Sequence, residues 1–505
     1  MYSVLKIASR KTSLAKIQAY MVGSSIRRFK QEKPIEYVFK ESAGDKDLES
    51  PLWKMENKGV FTKDFKEDLI TQKVDLVVHS WKDLDLEEDP ETEIYSVLNR
   101  FDQRDLILFK KESLEKDSSN LKIYTSSPRR QYNLDGFIKE YFPISLQPKN
   151  LIFEPIRGSI QTRIEKWLNS DGDGLVIAKA AIDRMLDTSY PEAMQDEFVQ
   201  LRTFIQETID KSLFMCVPLS LNPNAAAQGA LAVEIKKGRE DVKRILDKIC
   251  IGPVKEIVEE ERKILGSYGG GCHQKIGVAI LKRDYGKIKF VKGLTDDNLI
   301  LNHNKLETTH SSRANDVTRI WPLRDKGFQF RRTLVNPTPT PPPGNLIITR
   351  VNAWQNHWKQ SDITGIVWAA GLKTMKELAK RNLWVSGTMD GLGEYENIGV
   401  EKYLKNPVFR KITHEMSEEI ESKYERIVTY KIELISDIPD LNTKTHFYWM
   451  SGYQFDLALS RFPSIASGNH ASGPGITTKH IEKKLGKKVD VFLNHQDWIE
   501  YHSNS

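Results

Sequence analysis

The chain has 505 residues, 39% hydrophobic and 29% charged, which excludes a largely disordered or fibrous protein and leaves room for two to four domains. Its formal charge of +6 comes from Lys and Arg interleaved with Asp and Glu, a mild excess that fits small anionic ligands as well as it fits nucleic acid. No apolar run is long enough to span a bilayer, the N-terminus carries no export-type h-region, and Cys216, Cys250 and Cys272 lack CxxC spacing, so a cytoplasmic protein without membrane segment, disulfide framework or metal site is expected.

In chain order, the helical pattern LAKIQAYMVGSSIRRF is followed by the β-branched runs VDLVVHS (74–80), LKIYTSS (121–127), DGLVIAKA (173–180) and ALAVEI (230–235), and then by the helical EDVKRILDKI. This alternation predicts an α/β fold with largely parallel strand pairing. NPTPTPPPGN at 336–345 cannot enter a helix and reads as a semi-rigid, polyproline-like linker. Beyond it, LIITR and GIVWAAG read as strands and LKTMKELAKR as a helix. SGPGITTKHIEKKLGKKVDVFL (472–493) repeats the plan of glycine turn, threonine-bearing helix start and Lys-rich helix, suggesting two related α/β units.

Five stretches before the linker are richer in polar and basic residues than core strands need to be. IASRKTSLA carries Arg10 and Ser13. VVHSWKDLD carries His79, Ser80, Lys82 and Asp83. YTSSPRRQ carries Thr125, Ser126, Ser127, Arg129 and Arg130. PIRGSIQTR holds Arg157 and Arg163, and AIDRM holds Arg184. Several follow predicted strands, where α/β sheets bind ligands and where helix N-termini present N–H groups. Arg engages carboxylate or phosphate bidentately and stays charged, so the recurrence reads as a pocket for a polyanion. Taken singly, each Arg is equally a solvated surface residue, and TSSPRR equally an ST-turn followed by two exposed arginines. Asp83 is either a helix cap or a carboxylate working in a cationic site, and His79 reads as a packed, hydrogen-bonded histidine. In SYGGGCHQKIG (267–277), three glycines run into Cys272 and leave its thiol approachable.

These stretches, in this order, together with AAAQGALAVEI (225–235) and GGGCHQKIG, resemble the hydroxymethylbilane synthase, or porphobilinogen deaminase, family over residues 1 to about 320. The resemblance implies a transferase of porphyrin, tetrapyrrole and heme biosynthesis. Such an enzyme joins four porphobilinogen units head to tail with loss of ammonia, then releases hydroxymethylbilane by hydrolysis. It implies a three-domain deaminase: two periplasmic-binding-protein-like α/β lobes (1–100 with 194–225, and 101–193) and a small α+β cofactor-bearing domain (226–325). A Pro-rich linker (326–345) and a C-terminal α/β domain (346–505) would follow. A dipyrromethane cofactor would be joined by a thioether to Cys272, with Asp83 as the catalytic carboxylate and Lys82, Ser127, Arg129 and Arg130 as further cofactor contacts. Substrate contacts would be Arg10, Ser13, Phe61, Ser80, Thr125, Ser126, Arg157, Arg163, Arg184 and Gln228. The physical reading agrees, because every pyrrole brings two carboxylates, and loss of ammonia leaves an azafulvenium-type cation that one ionised carboxylate stabilises. The family more often has GGCQVPIG, a Met at Trp81 and a glycine at Ala227; His273 receives no role. A monomer with a small-molecule substrate, and no nucleic-acid or membrane partner, is expected. A periplasmic-type anion-binding protein is the alternative of another class, but it needs neither Cys272 nor Asp83 and would carry an export signal.

After the linker, VWAAGLKTMKEL, FYWMSGYQFDLAL and ASGPGITTKHIEKKLGKKVDVFL resemble elements of uroporphyrinogen III synthase, with Ser451 and Thr478 near its cleft. This implies either a bifunctional fusion that also cyclises hydroxymethylbilane or a structural or docking domain.

Overall fold

The computed structural model describes residues 4–29, 34–41, 63–116, 120–147, 150–270, 274–323, 327–417 and 423–503. The chain divides into two compact units: residues 1–139, 148–281 and 290–303 make the first, and 140–147, 282–289 and 304–505 the second.

The first unit contains two five-stranded mixed sheets. In the first, β1 (Leu5–Arg10) pairs in parallel with β2 (Ile35–Lys40) and β3 (Leu76–Ser80), while β10 (Leu231–Lys236) runs antiparallel between β3 and β4 (Thr92–Tyr95). Strand alternation sends Leu5, Ile7, Leu76, Val78, Leu231, Val233 and Ile235 to one face. There they pack with Val22 and Ile26 of helix α1 (Ser13–Phe29) and with Val242, Ile245 and Leu246 of the helix Glu240–Ile249. Ala8 and Val77 on the other face meet Phe65 and Leu69 of α2 (Lys63–Ile70).

The second sheet has the order β7-β6-β8-β5-β9. Here β6 (Asn120–Tyr124) is parallel to β7 (Asn150–Glu154) and β8 (Gly174–Ala178), and β5 (Asp105–Lys110) is antiparallel to β8 and to β9 (Ser212–Cys216). The four strands expected from their β-branched runs are present. Parallel pairing, however, is confined to three strands of each sheet, because β10 in the first and β5 in the second run antiparallel to the strands on either side of them.

The expected boundaries shift accordingly. Residues 212–216 belong to the second sheet, not with the first layer, and 231–236 fill the first sheet instead of opening the cofactor-bearing segment. Their apolar faces complete those cores, a requirement that burial pattern alone does not assign to one sheet or the other.

Strands β11 (Gly277–Arg283), β12 (Gly286–Leu294) and β13 (Ile300–Glu307) form a three-stranded sheet in that order. In the second unit, a six-stranded sheet has the order β15-β20-β19-β16-β17-β18 and a four-stranded sheet the order β14-β21-β22-β23. The first is built from β15 (Phe330–Leu334), β16 (Asn345–Ile348), β17 (Val367–Ala369), β18 (Gly387–Thr388), β19 (Phe409–His414) and β20 (Glu425–Leu434). The second comprises β14 (Ile320–Trp321), β21 (His446–Trp449), β22 (Asn469–Ser472) and β23 (Asp490–Val491). The expected linker at 326–345 therefore begins too early. Phe330–Leu334 is a strand paired antiparallel with β20, and β14, before it, pairs with β21, so the proline segment lies inside the second unit. Trp321 and Phe328 are buried against Phe447, Trp449 and Phe455, which binds these residues to the C-terminal core.

Candidate active site

The site is built where strands of the first unit end. Arg10 closes β1 and is half-buried; Ser80 closes β3 and accepts a 3.3 Å hydrogen bond from Gln18 Nε2. The chain then makes a single 3-10 turn, Trp81–Asp83. Trp81 is buried against Ala227, Ala230, Ala232 and Val258, so three alanines make room for the indole. This anchored turn leaves Lys82 half-buried and the Asp83 carboxylate exposed. His79 is buried with its Nε2 2.9 Å from Glu234 Oε2, the structural role expected of it.

After β6, Thr125 is buried, Ser126 Oγ donates to the Ile156 carbonyl at 2.8 Å, and Ser127 Oγ receives the Arg130 N–H at 3.4 Å. These contacts order the turn into the helix Pro128–Tyr141, whose first turn carries Arg129 and Arg130. Both guanidinium groups are buried and converge on one acid that sequence reasoning missed. Asp105 Oδ2 accepts from Arg129 at 2.8 Å and Oδ1 accepts from Arg130 at 2.7 Å. Gln228 Nε2 donates to the same Oδ1 at 2.9 Å, and Asn222 Nδ2 donates to Oδ2 at 2.9 Å. Burial alone would raise the Asp105 pKa, but the two arginines hold it well below the ordinary carboxylate range. Gln228 also accepts from Lys82 Nζ at 3.2 Å through its own Oε1. Asp105 thus aligns Lys82, Arg129 and Arg130 through a fully bonded buried centre.

Lys82 is pulled down to about 8 by desolvation, with Arg130 and Arg129 acting in the same direction and Asp83 and Asp105 opposing them. Arg163, in the helix Ile160–Leu168, donates from Nε to the Gly158 carbonyl at 2.8 Å and is lowered to about 10. Desolvation leads, Arg130, Arg157 and Arg10 add repulsion, and Asp83 opposes. One exposed carboxylate and a ring of cations drawn from four chain segments therefore share a field, which favours anionic groups at the ring and cationic character beside Asp83.

Other expected residues make contacts of their own. Ser13 Oγ donates to Glu197 at 3.1 Å. Arg184 is buried, donates to the Gly229 carbonyl at 2.6 Å, stacks over the Phe101 ring at 4.8 Å and is lowered to about 10 by desolvation. It supports the turn that carries Gln228. That turn holds Ala227 at φ +69°, a left-handed conformation natural to the glycine more usual there, and Gly229 at φ +88°, where a Cβ would strike the Phe101 carbonyl. Ala227 N–H donates to Glu261 at 2.9 Å, and Glu261, fully buried, also receives Arg100 at 2.8 and 2.7 Å and Ile280 N–H at 2.8 Å. Glu261 lies on the helix Gly252–Gly266, which leads toward the glycine-flanked thiol. Phe61, Cys272 and His273 lie outside the described residues. In the second unit, Ser451 Oγ caps the helix Gly452–Arg461 by accepting from Gln454 N–H at 3.2 Å, and Thr478 is buried, 2.7 Å from Ser472 Oγ.

Among the described residues, no helix is long and apolar enough to cross a membrane, and no group of three His, Cys, Asp or Glu side chains is arranged to hold a metal ion. The family model described as porphobilinogen deaminase, dipyromethane cofactor binding domain, matches residues 5–244. A "Probable porphobilinogen deaminase" of Methanopyrus kandleri is 30% identical over 301 residues, covering 59% of this chain and 89% of that one. The "Porphobilinogen deaminase" of Desulfitobacterium hafniense is 32% identical over 274 residues, covering 54% and 79%. That of Clostridium novyi is 31% identical over 298 residues, covering 58% and 90%. Among solved structures, the BenM effector binding domain with benzoate aligns with 53% of this chain and 95% of that one at 12% identity, with a TM-score of 0.26 too slight to bear on function. By sequence this chain belongs to the porphobilinogen deaminase family.

Proposed function

We propose that the chain is a hydroxymethylbilane synthase that condenses four porphobilinogen units head to tail, releasing ammonia at each step, and then frees the linear tetrapyrrole by hydrolysis. The family is one of transferases in tetrapyrrole and heme biosynthesis, with a dipyrromethane cofactor. The observation that carries the proposal is Asp83, an exposed carboxylate set among Lys82, Arg10, Arg130, Arg157 and Arg163. In this reading the two five-stranded sheets are the cores of two α/β domains, and the segment from Gly252 through the GGGC loop belongs to the small cofactor-bearing domain.

The residues present suit a dipyrromethane bearing acid side chains. Arg129 and Arg130 are buried cations whose Nε atoms have no hydrogen-bond partner among the described residues, and Lys82 stands beside them. The cofactor, attached through Cys272, supplies the primer for chain growth. Ser127, Lys82, Arg129 and Arg130 hold its carboxylates. Arg10, Arg157 and Arg163, with Ser80, Thr125 and Ser126 at the same strand ends, take the acetate and propionate groups of incoming units. Arg184 and Gln228 fix the turn beneath them, Ser13 flanks Arg10, and Phe61 would be a further substrate contact. The Asp83 carboxylate stabilises the cation left on the substrate when ammonia departs, without bonding to carbon.

Intact-mass measurement tests this directly. The wild-type chain should carry a dipyrromethane increment that Cys272→Ser abolishes together with porphobilinogen consumption. An unmodified wild-type chain that does not consume porphobilinogen would overturn the reading.

A second reading adds cyclisation to uroporphyrinogen III by the C-terminal unit. The two sheets of that unit, with Ser451 capping the helix Gly452–Arg461 and Thr478 in the first turn of the helix Ile476–Leu485, support this reading. Oxidised products from wild-type chain and porphobilinogen should then contain isomer III; isomer I alone rejects the second activity and leaves the first intact.

A further inference from the structure

The second unit carries a group of basic and hydroxyl side chains that the deaminase reading does not use. Its strands β16, β19, β20 and β15 lie side by side. The register sets Ile348 beside Ile412, His414 beside Tyr430, Tyr430 beside Leu334 and Ile432 beside Arg332. Arg350 stands two residues beyond Ile348, as His414 stands two beyond Ile412. Strand alternation therefore brings Arg350, His414, Tyr430 and Arg332 to one face near one end of the sheet. A register shift between Thr413 and His414 re-aims His414, and its ring centroid comes to 5.5 Å from that of Tyr430.

This group is poorly satisfied from within. Tyr430 is buried, yet its hydroxyl makes no hydrogen bond of normal geometry among the described residues. Thr349, beside it, is engaged with the Ile412 carbonyl at 3.1 Å and the Thr413 hydroxyl at 3.2 Å. His414 Nδ1 is also buried without a hydrogen-bond partner among the described residues. Burial lowers the His414 pKa to about 4, and Arg350, Lys411, Arg332 and Arg426 push in the same direction. Two of these cations are already occupied: Lys411 by Glu394 at 2.6 Å and Arg426 by the carbonyls of Glu415 and Ser417 at 2.6 and 2.8 Å. Arg332 donates only to the Phe330 carbonyl at 3.3 Å, and neither Arg332 nor Arg350 is ion-paired to a carboxylate among the described residues.

We propose that Arg332, Arg350, His414 and the Tyr430 hydroxyl form an oxyanion-binding site that takes the carboxylate groups of a polycarboxylate ligand. Two guanidinium groups supply charge and paired donors, while the phenol and the neutral imidazole supply directed donors that no group among the described residues uses. The site belongs to the second unit and does not depend on the activity proposed for the Asp83 cluster.

Calorimetric titration of the full chain with the octacarboxylate porphyrin uroporphyrin I tests the site. Arg332→Ala with Arg350→Ala should weaken one binding event by about tenfold or more, Arg350→Lys should restore part of it, and porphobilinogen turnover should be unchanged. Tyr430→Phe removes only the hydroxyl and should weaken the same event more modestly. Displacement of the probe by inorganic phosphate would assign the site to oxyanions generally, and displacement by citrate alone would restrict it to carboxylates. Unchanged uroporphyrin affinity in the double variant overturns the proposal whatever the turnover.

Discussion

Asp105 and Asp83 are both aspartates beside arginines, but they have opposite exposures and should fail differently. Asp105 is fully buried between Arg129 and Arg130. Asp105→Ala strands two buried guanidinium groups and should cost about 3–5 kcal/mol in denaturant unfolding. Asp83 is exposed, so Asp83→Asn should leave the denaturation midpoint nearly unchanged while lowering kcat by roughly two to three orders of magnitude. Lys82 adds a pH signature. Its folded pKa of about 8 lies below the ordinary 10.5, so the folded chain sheds this proton first. Between those two pH values the unfolded chain binds more protons, and this group's contribution to stability rises with pH. Substrate binding moves the other way, because the cation facing the carboxylates is lost. KM for porphobilinogen should therefore climb above pH 8 without loss of stability, and Lys82→Arg should flatten the climb. The arginines were legible in the sequence because they recur at strand ends. Asp105 was not, because an acid opening DLILFK reads as an ordinary strand start, and its partners lie 24 and 25 residues away.

At the scale of elements, Glu261 ties one helix to three other parts of the first unit: the Arg100 guanidinium, the Ala227 turn and Ile280 in the middle of the strand Gly277–Arg283. Glu261→Ala removes a buried acid and strands Arg100, which is only 12% exposed, so unfolding should become easier by about 3–5 kcal/mol. A double-mutant cycle with Arg100→Ala should show strong coupling; additive losses would mean that the pair acts separately. Strands and helices were largely legible because their periods are clean. The partners of β9 and β10 were not, since a run such as LFMC or LAVEI is equally at home in either sheet. Pairing is decided by which core lacks an apolar face, a property of the assembled layers and not of the segment.

Across the whole molecule, the proline segment was read as a boundary between domains, yet the structure folds it into the second unit. Composition exposes a segment that cannot be helical, but it does not show whether the chain on either side pairs across it. Here β14 and β15 precede the prolines, while their partners β21 and β20 follow them. Cleavage at a protease site introduced within 338–343 should therefore leave one species on size exclusion under native conditions and two chains in denaturant. Separation under native conditions would show that these pairings do not hold the unit together.

The position of β10 between β3 and β4 also bears on how the protein is born. About 140 residues separate the end of β4 from the end of β10. At ribosomal speeds this leaves the first sheet incomplete for roughly 7 to 28 s, with the edges of β3 and β4 unpaired. During that interval the nascent chain exposes strand edges next to its own apolar runs, the situation in which chains mispair or aggregate. A ribosome stalled before residue 231 should hold a protease-sensitive N-terminal segment, and one stalled after the helix Glu240–Ile249 has emerged should hold a resistant one.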